Sequence, residues 1–165
     1  RRGGGSAPCG MMLNSRPLAM KGFSNSEEIC ASIVESAERY GSGNPQRLKQ
    51  LSVVLAKRDP EEVFKGLYSV FLQSDPNNYE SQQLAGVLLF QISPTAAFEL
   101  EDVLRMSLNT YNLSVEEWPW YLVRRFGQER VLNVLERLLQ TEKGATARRS
   151  AETMARWVRR YPNNG

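Results

Sequence analysis

The chain has 165 residues, of which 41% are hydrophobic and 24% charged, with a formal net charge of +3. This is the size and make-up of one globular domain, and a chain of ~150 residues buries roughly 70% of its unfolded surface. No apolar run approaches the about 20 residues a membrane-spanning helix needs, two cysteines are too few for a disulfide framework or a four-thiolate metal site, and the lack of histidine removes the usual neutral-pH base and the commonest metal ligand.

The small net charge hides a segregation. Residues 1–58 carry 9 basic and 4 acidic side chains, residues 59–117 carry 2 and 10, and residues 118–165 carry 10 and 4, so the segments stand at +5, −8 and +6. Such asymmetry either steers partners or reflects solvated helix faces that differ in sign.

Residues 1–24 read as a flexible tail. Arg1-Arg2-Gly3-Gly4-Gly5-Ser6-Ala7-Pro8 has no periodicity and cannot bury a face. Cys9 falls in it, and Met20-Lys21 reads as an alternative start. The stretch is also basic and acid-free, as a cleaved targeting peptide would be, but it has no apolar h-region. With nothing that requires an oxidising compartment, a cytoplasmic location is the default expectation.

Helices are predicted from residue 25 onward, and four of their starts are marked by a capping-type residue before proline: Asn44-Pro45, Asp59-Pro60, Asp75-Pro76 and Ser93-Pro94. A cap side chain accepts an orphan N–H, and proline at the first helical position loses nothing by lacking one. The first helix spans Ser26–Tyr40, capped by Ser24 or Asn25 and stopped by Gly41, with Ile29, Ile33, Val34 and Ala37 as its stripe and Cys30 as a buried small hydrophobe. The second opens at Pro45 and carries Leu48, Leu51, Val54 and Leu55. The third opens at Pro60 with Glu61 and Glu62 against the positive helix terminus. Its face is Val63, Phe64, Leu67, Val70 and Phe71, and Gly66 within it predicts a close helix contact.

The fourth helix, 78–91, is apolar around more than half its circumference through Leu84, Val87, Leu88, Leu89 and Phe90, so it belongs among the most buried. A fifth is expected from Ser93-Pro94 through Leu100, Val103, Leu104, Leu108 and Tyr111. Ser114-Val115-Glu116-Glu117 has capping-box spacing. Pro119 lies too deep for an undistorted helix from Ser114, which leaves a short re-entrant turn or a helix starting at Trp118-Pro119. The seventh covers 128–140 with Val131, Leu132, Leu135, Leu138 and Leu139. After Gly144 the last covers 145–160, with Ala147, Ala151, Met154, Trp157 and Val158 inward. No alternating run bounded by hairpin turns predicts a strand.

Paired up, these helices give first members near 26, 60, 94 and 128, an interval of 34 residues. Constant spacing is what stacked helical hairpins produce, because each unit buries its face only against its neighbours. The expected fold is all-α: an α-solenoid, a right-handed superhelix of about four hairpins and eight helices over residues 25–165.

Two helices resemble a known repeat. Ala147-Arg148-Arg149-Ser150-Ala151-Glu152-Thr153-Met154-Ala155 is similar to the second-helix pattern of HEAT repeats, Val-Arg-Arg-Ala-Ala-x-Ala-Leu-Gly, departing at Thr153 and Met154. Ser81-Gln82-Gln83-Leu84-Ala85-Gly86-Val87-Leu88 fits it more loosely, with Gln82 in place of arginine. A tetratricopeptide array is the rival: the 34-residue spacing matches, and Asp75-Pro76-Asn77-Asn78 resembles its inter-repeat turn, but Phe64 and Phe71 stand where that family wants small residues. Either resemblance implies a scaffold that binds another macromolecule. The end, Tyr161-Pro162-Asn163-Asn164-Gly165, resembles an inter-repeat turn, as in a fragment of a longer solenoid.

Three clusters are candidate sites. Trp118-Pro119-Trp120-Tyr121 reads as an exposed aromatic platform or as a packed corner between hairpins. The C-terminal basic set contains nine arginines and one lysine. Arginine suits bidentate phosphate or carboxylate contacts, and Arg149, Arg156 and Arg160, at spacings of seven and four, fall on one side of the last helix. The alternative for this set is intramolecular pairing with Glu129, Glu136, Glu152 or the acidic middle. Glu99, Glu101, Asp102, Glu116 and Glu117 form an acidic cluster, of which Glu116 and Glu117 are explained by a helix start. Asn112-Leu113-Ser114 is a glycosylation triplet of little meaning without secretion.

The function expected from this is a non-enzymatic protein-interaction or adaptor module, docking a protein or peptide along a concave face made by the second helices. The residues expected to contact a partner are Gln82, Gln83, Trp118, Trp120, Arg124, Arg125, Arg148, Arg149 and Arg156. Arg148 and Arg149 enter by resemblance. No catalytic residue, cofactor, metal or membrane is expected. The alternatives are nucleic-acid binding through the basic C-terminal helices and a HEAT-like base-excision enzyme, for which Asp102 or Glu117 beside Trp118 and Trp120 are the candidate carboxylates.

Overall fold

The computed structural model describes residues 25–73, 75 and 78–163. The expectations placed on residues 1–24, Pro76 and Asn77 lie outside them. Eight helices follow in order: α1 (Ser26–Tyr40), α2 (Pro45–Ala56), α3 (Pro60–Phe71), α4 (Tyr79–Ile92), α5 (Leu100–Ser107), α6 (Glu117–Phe126), α7 (Gln128–Thr141) and α8 (Ala145–Arg159). Among the described residues there is no strand, and no helix is long and apolar enough to cross a membrane.

Several starts form as their residues dictate. Asn25 Oδ1 accepts the Glu28 N–H at 2.9 Å, and Asn44 Oδ1 accepts the Arg47 N–H at 3.0 Å, with Pro45 at the first helical position. Asp59 makes no side-chain cap, although Pro60 begins α3. Gly41 ends α1 at φ 70°, a conformation only glycine adopts freely, and its N–H closes on the Ala37 carbonyl at 2.8 Å.

Two expectations are corrected. Ser93-Pro94 does not open a helix. Ser93 sits at φ 50° and ends α4, its N–H bonded to the Leu89 carbonyl at 2.8 Å. The backbone that follows is held by side chains instead: the Pro94 carbonyl accepts the Tyr121 hydroxyl at 2.7 Å, the Ala96 carbonyl accepts Arg125 Nη2 at 2.7 Å, and the Ala97 N–H donates to Glu61 Oε2 at 2.8 Å. Helix α5 therefore begins at Leu100, and the first helices of the pairs start at 26, 60, 100 and 128. Nor does Ser114 cap a helix. Its N–H is taken by Asn112 Oδ1 at 2.9 Å, and α6 begins at Glu117, which places Pro119 in the first turn where its missing N–H leaves no bond unmade.

Alternate helices pack in succession, α2 on α4, α4 on α6 and α6 on α8, while α1 packs on α3 and α5 on α7. Helix α4 touches α1, α2, α3 and α6, in keeping with an apolar surface that covers more than half its circumference. An aromatic layer fills the centre. Trp118, wholly buried, lies 5.4 Å from the Tyr68 ring and 5.3 Å from that of Phe71, and Phe64 stacks on Phe98 at 4.3 Å. Cys30 is buried and is not a free thiol.

Gly66 marks the tightest crossing. A Cβ there would stand 2.6 Å from Ile29 Cβ and Cγ2 and 2.9 Å from the Ser26 carbonyl oxygen. A β-branched side chain and a backbone atom cannot swing away, so Gly66→Ala should destabilise the fold by about 2–3 kcal/mol, as overpacking does. That corresponds to a fall in Tm of roughly 4–12 °C for a chain this size. Gly43→Ala, which meets nothing within 4 Å, should leave Tm within about 2 °C in the same thermal scan.

Candidate functional site

The aromatic corner is a packing element. Trp118 and Tyr121 are 0% exposed and Pro119 is buried. Trp120, half-buried, donates its indole N–H to the Trp157 carbonyl at 2.9 Å and lies 5.8 Å from the Tyr161 ring. The exposed platform read as one option for these residues is not formed by Trp118.

Gln82 is also consumed by the fold. It is 0% exposed, its Nε2 donates to the Thr110 carbonyl at 2.7 Å and its Oε1 accepts the Asn112 N–H at 2.8 Å, so it clamps the loop between α5 and α6. Gln83, half-buried, donates to Glu117 Oε1 at 3.2 Å. Neither the wholly buried Gln82 nor Trp118 presents its side chain to a partner.

Three of the nominated arginines hold backbone carbonyls, two of them at helix ends. Arg124 donates to the Phe90 carbonyl at 2.5 Å, with its guanidinium 4.0 Å from that residue's ring centroid. Arg125 holds Ala96, and Arg148 donates to the carbonyls of Leu139 and Glu142 at the end of α7. The carbonyls of Phe90, Leu139 and Glu142 are among those a helix C-terminus leaves without an intrahelical partner, whereas Ala96 lies in the stretch between α4 and α5. Other arginines are ion-paired: Arg137 with Glu101 at 2.8 Å, Arg105 with Glu101, Asp102 and Glu142, and Arg159 with Glu136 at 3.8 Å. The acidic middle is spent in the same way. Glu62 accepts the Ser26 N–H at 2.7 Å, Glu61 that of Ala97, and Glu80 both the N–H and hydroxyl of Ser42 at 2.7 Å. Of the carboxylates and rings read as a base-excision alternative, Asp102 is paired with Arg105 and Trp118 is wholly buried.

What remains is one face of α8. Arg149, Arg156 and Arg160 line a single pocket of about 330 Å³ together with Glu152, Thr153, Trp157 and Leu113. The Trp157 indole N–H donates to the Leu113 carbonyl at 3.0 Å, fixing the ring as a wall between α8 and the loop before α6. Arg160 stands 5.9 Å from that ring's centroid, and Arg156 donates to Thr153 Oγ1 at 3.2 Å. Among the described residues Arg149 and Glu152 make no hydrogen bond or ion pair. The stripe 149, 152, 153, 156, 157, 160 has helical spacing, so its one-sidedness was readable; Leu113, on a distant loop, was not. No group of His, Cys, Asp or Glu side chains among the described residues could hold a metal ion.

Comparison of the chain with protein-family models, with curated proteins and with solved structures gave no match.

Two outcomes test these assignments. Gln82→Ala would leave the half-buried Thr110 carbonyl and Asn112 N–H without this partner, at about 1–3 kcal/mol each, so urea denaturation should show a loss of about 2–4 kcal/mol, whereas a partner-contacting surface residue would shift by no more than ~0.5 kcal/mol. Glu117 is held above the usual carboxylate range, chiefly by burial and secondarily by Glu116, against its own backbone N–H and Gln83, which lower it. The folded state therefore holds this proton more tightly than the unfolded chain, and the group's contribution falls as pH rises through its folded pKa. Glu117→Gln should lose less stability than the wild-type chain as pH rises from the carboxylate range to neutrality, measured as urea midpoints; parallel curves would contradict the assignment.

Proposed function

We propose that this chain is a non-enzymatic, partner-binding scaffold: a stack of four helical hairpins whose binding surface is the basic face of α8. The stacked reading is supported by side-chain ties between residues 34–38 apart, as in Ser26 to Glu62, Ser42 to Glu80, Gln83 to Glu117, Arg124 to Phe90 and Arg137 to Glu101. Each joins one hairpin to the next, as a solenoid of HEAT or tetratricopeptide type requires.

The observation that carries the functional reading is the contrast among arginines. Most are committed to carbonyls or carboxylates of the fold, while Arg149, Arg156 and Arg160 converge on one pocket beside a fixed tryptophan. Arginine and tryptophan are typical interface anchors. Intramolecular pairing, the ordinary use of a charge run, accounts for Arg124, Arg125, Arg137, Arg148 and Arg159; of the others, Arg149, Arg156 and Arg160 share one pocket, which Arg130 and Lys143 do not line.

Nucleic-acid binding is the second reading, favoured by the same arginines. The scaffold reading predicts that the full chain, titrated with labelled duplex and single-stranded DNA at physiological salt, binds no tighter than the ~10⁻⁶ M of ordinary non-specific contact. It also predicts that a photo-cross-linker at position 149 yields a discrete protein adduct in extracts of the source cells, abolished by Arg156→Glu, and that one at the exposed Val53 of α2 does not. A tighter DNA complex whose affinity falls steeply with salt would move the function to nucleic acid.

A further inference from the structure

The α8 pocket has chemistry specific enough to name its ligand class, on the premise that α8 is the binding face. Three guanidiniums and one carboxylate, Glu152, surround it, a formal charge of +2. Arginine does not deprotonate in proteins, so this charge is present at every physiological pH. A carboxylate or a backbone phosphodiester brings one negative charge; a phosphomonoester brings about −1.5 to −2 at neutral pH with three strong acceptor oxygens. The pocket's charge matches the phosphomonoester.

The arrangement agrees. Arg149 and Arg160 are eleven residues apart, about 16 Å along the helix axis at ~1.5 Å per residue, yet both line the same cavity as Arg156. All three line that one pocket, so a single compact ligand seated in it has all three guanidiniums on its walls. The helix macrodipole does not account for them all. Arg156 and Arg160 favourably oppose the negative C-terminal end of α8, but Arg149, the fifth residue of the helix, gains nothing there. Thr153 adds a hydroxyl at the pocket floor, itself 7% exposed.

The pocket is also open. Arg149, Glu152, Arg156 and Arg160 are all exposed, whereas small-molecule sites bury about 70–90% of their ligand. At about 330 Å³ it holds a side chain with its immediate neighbours and not a folded element. We propose that the α8 pocket is a receptor for a phosphorylated side chain presented by a partner protein, the phosphate held between Arg149, Arg156 and Arg160 with the adjoining chain against Trp157. Binding would then be conditional on phosphorylation of the partner.

The test uses the full chain and a degenerate library of peptides carrying phosphoserine, phosphothreonine or phosphotyrosine, against the same library after dephosphorylation. The expected result is at least ~10-fold tighter binding of the phosphorylated pool, displacement by phenyl phosphate, and loss of that preference in Arg149→Gln/Arg156→Gln but not in Arg130→Gln. A second signature comes from the ligand. Its second proton titrates near pH ~6, so affinity should weaken several-fold between pH 7.5 and 5.5 although no arginine titrates. Equal binding of the two pools, or no binding by either, overturns the inference. A single-stranded oligonucleotide that binds more tightly, without that pH dependence but with the same loss in the double variant, overturns it too, while leaving α8 as the binding face. A cross-link at position 149 that forms equally with a dephosphorylated extract likewise removes the phosphate and keeps the surface.

Discussion

Eight short helices leave many backbone ends without intrahelical partners, and satisfying them is the constraint on which this structure depends. Each terminus exposes four N–H or four C=O groups, and a helix of eight to fifteen residues devotes most of its backbone to them. Here the partners come from other units. Glu62 of α3 takes the N–H at the start of α1, Glu80 of α4 ties the turn after α1, Arg124 of α6 closes α4, and Glu61 and Arg125 together hold the backbone between α4 and α5. The same ties join segments 29–38 residues apart in the chain. This explains the charge segregation physically: the acidic middle supplies acceptors for N–H groups and for Arg105 and Arg137, and the basic C-terminal segment supplies donors for carbonyls.

Buried tyrosines extend the scheme into the core. Tyr68 donates to the Val103 carbonyl at 2.9 Å, Tyr111 to that of Val115 at 2.6 Å and Tyr121 to that of Pro94 at 2.7 Å. Burial pushes the Tyr121 phenol up to about 12 and raises the other two further, so all three remain donors at any pH the fold tolerates. Tyr111 and Tyr121 satisfy carbonyls of the irregular stretches after and before α5, and Tyr68 ties α3 to α5 itself, whose Val103 carbonyl also accepts the Ser107 hydroxyl.

Those stretches are also where sequence reasoning fails. Helix α1 is legible because its stripe, its Asn25 cap and its Gly41 stop are local signals, and Gly66 announces a close contact because nothing else justifies glycine inside α3. Ser93-Pro94 carries the same local signal as Asn44-Pro45, but the two differ in what arrives from elsewhere: Tyr121, Arg125 and Glu61 bind the backbone that a helix would have needed. Among candidate binding residues the division is similar. The one-sidedness of Arg149, Arg156 and Arg160 follows from helical spacing, whereas the loss of Gln82, Arg124, Arg125 and Arg148 to structural duties depends on carbonyls in other segments that no local pattern reveals.

Two kinds of arginine are thereby separated, those that hold the fold together and those that face outward from α8. Equilibrium urea denaturation of two triple variants tests that separation most directly. Arg124→Gln/Arg125→Gln/Arg148→Gln should lose about 3 kcal/mol or more, since charge-assisted bonds to backbone carbonyls are broken. Arg149→Gln/Arg156→Gln/Arg160→Gln should stay within about 1 kcal/mol of the unsubstituted chain, as solvent-facing side chains whose contacts are confined to their own helix do. Equal losses, or the larger loss in the α8 variant, would show that the α8 arginines are structural and would contradict the binding face proposed for them.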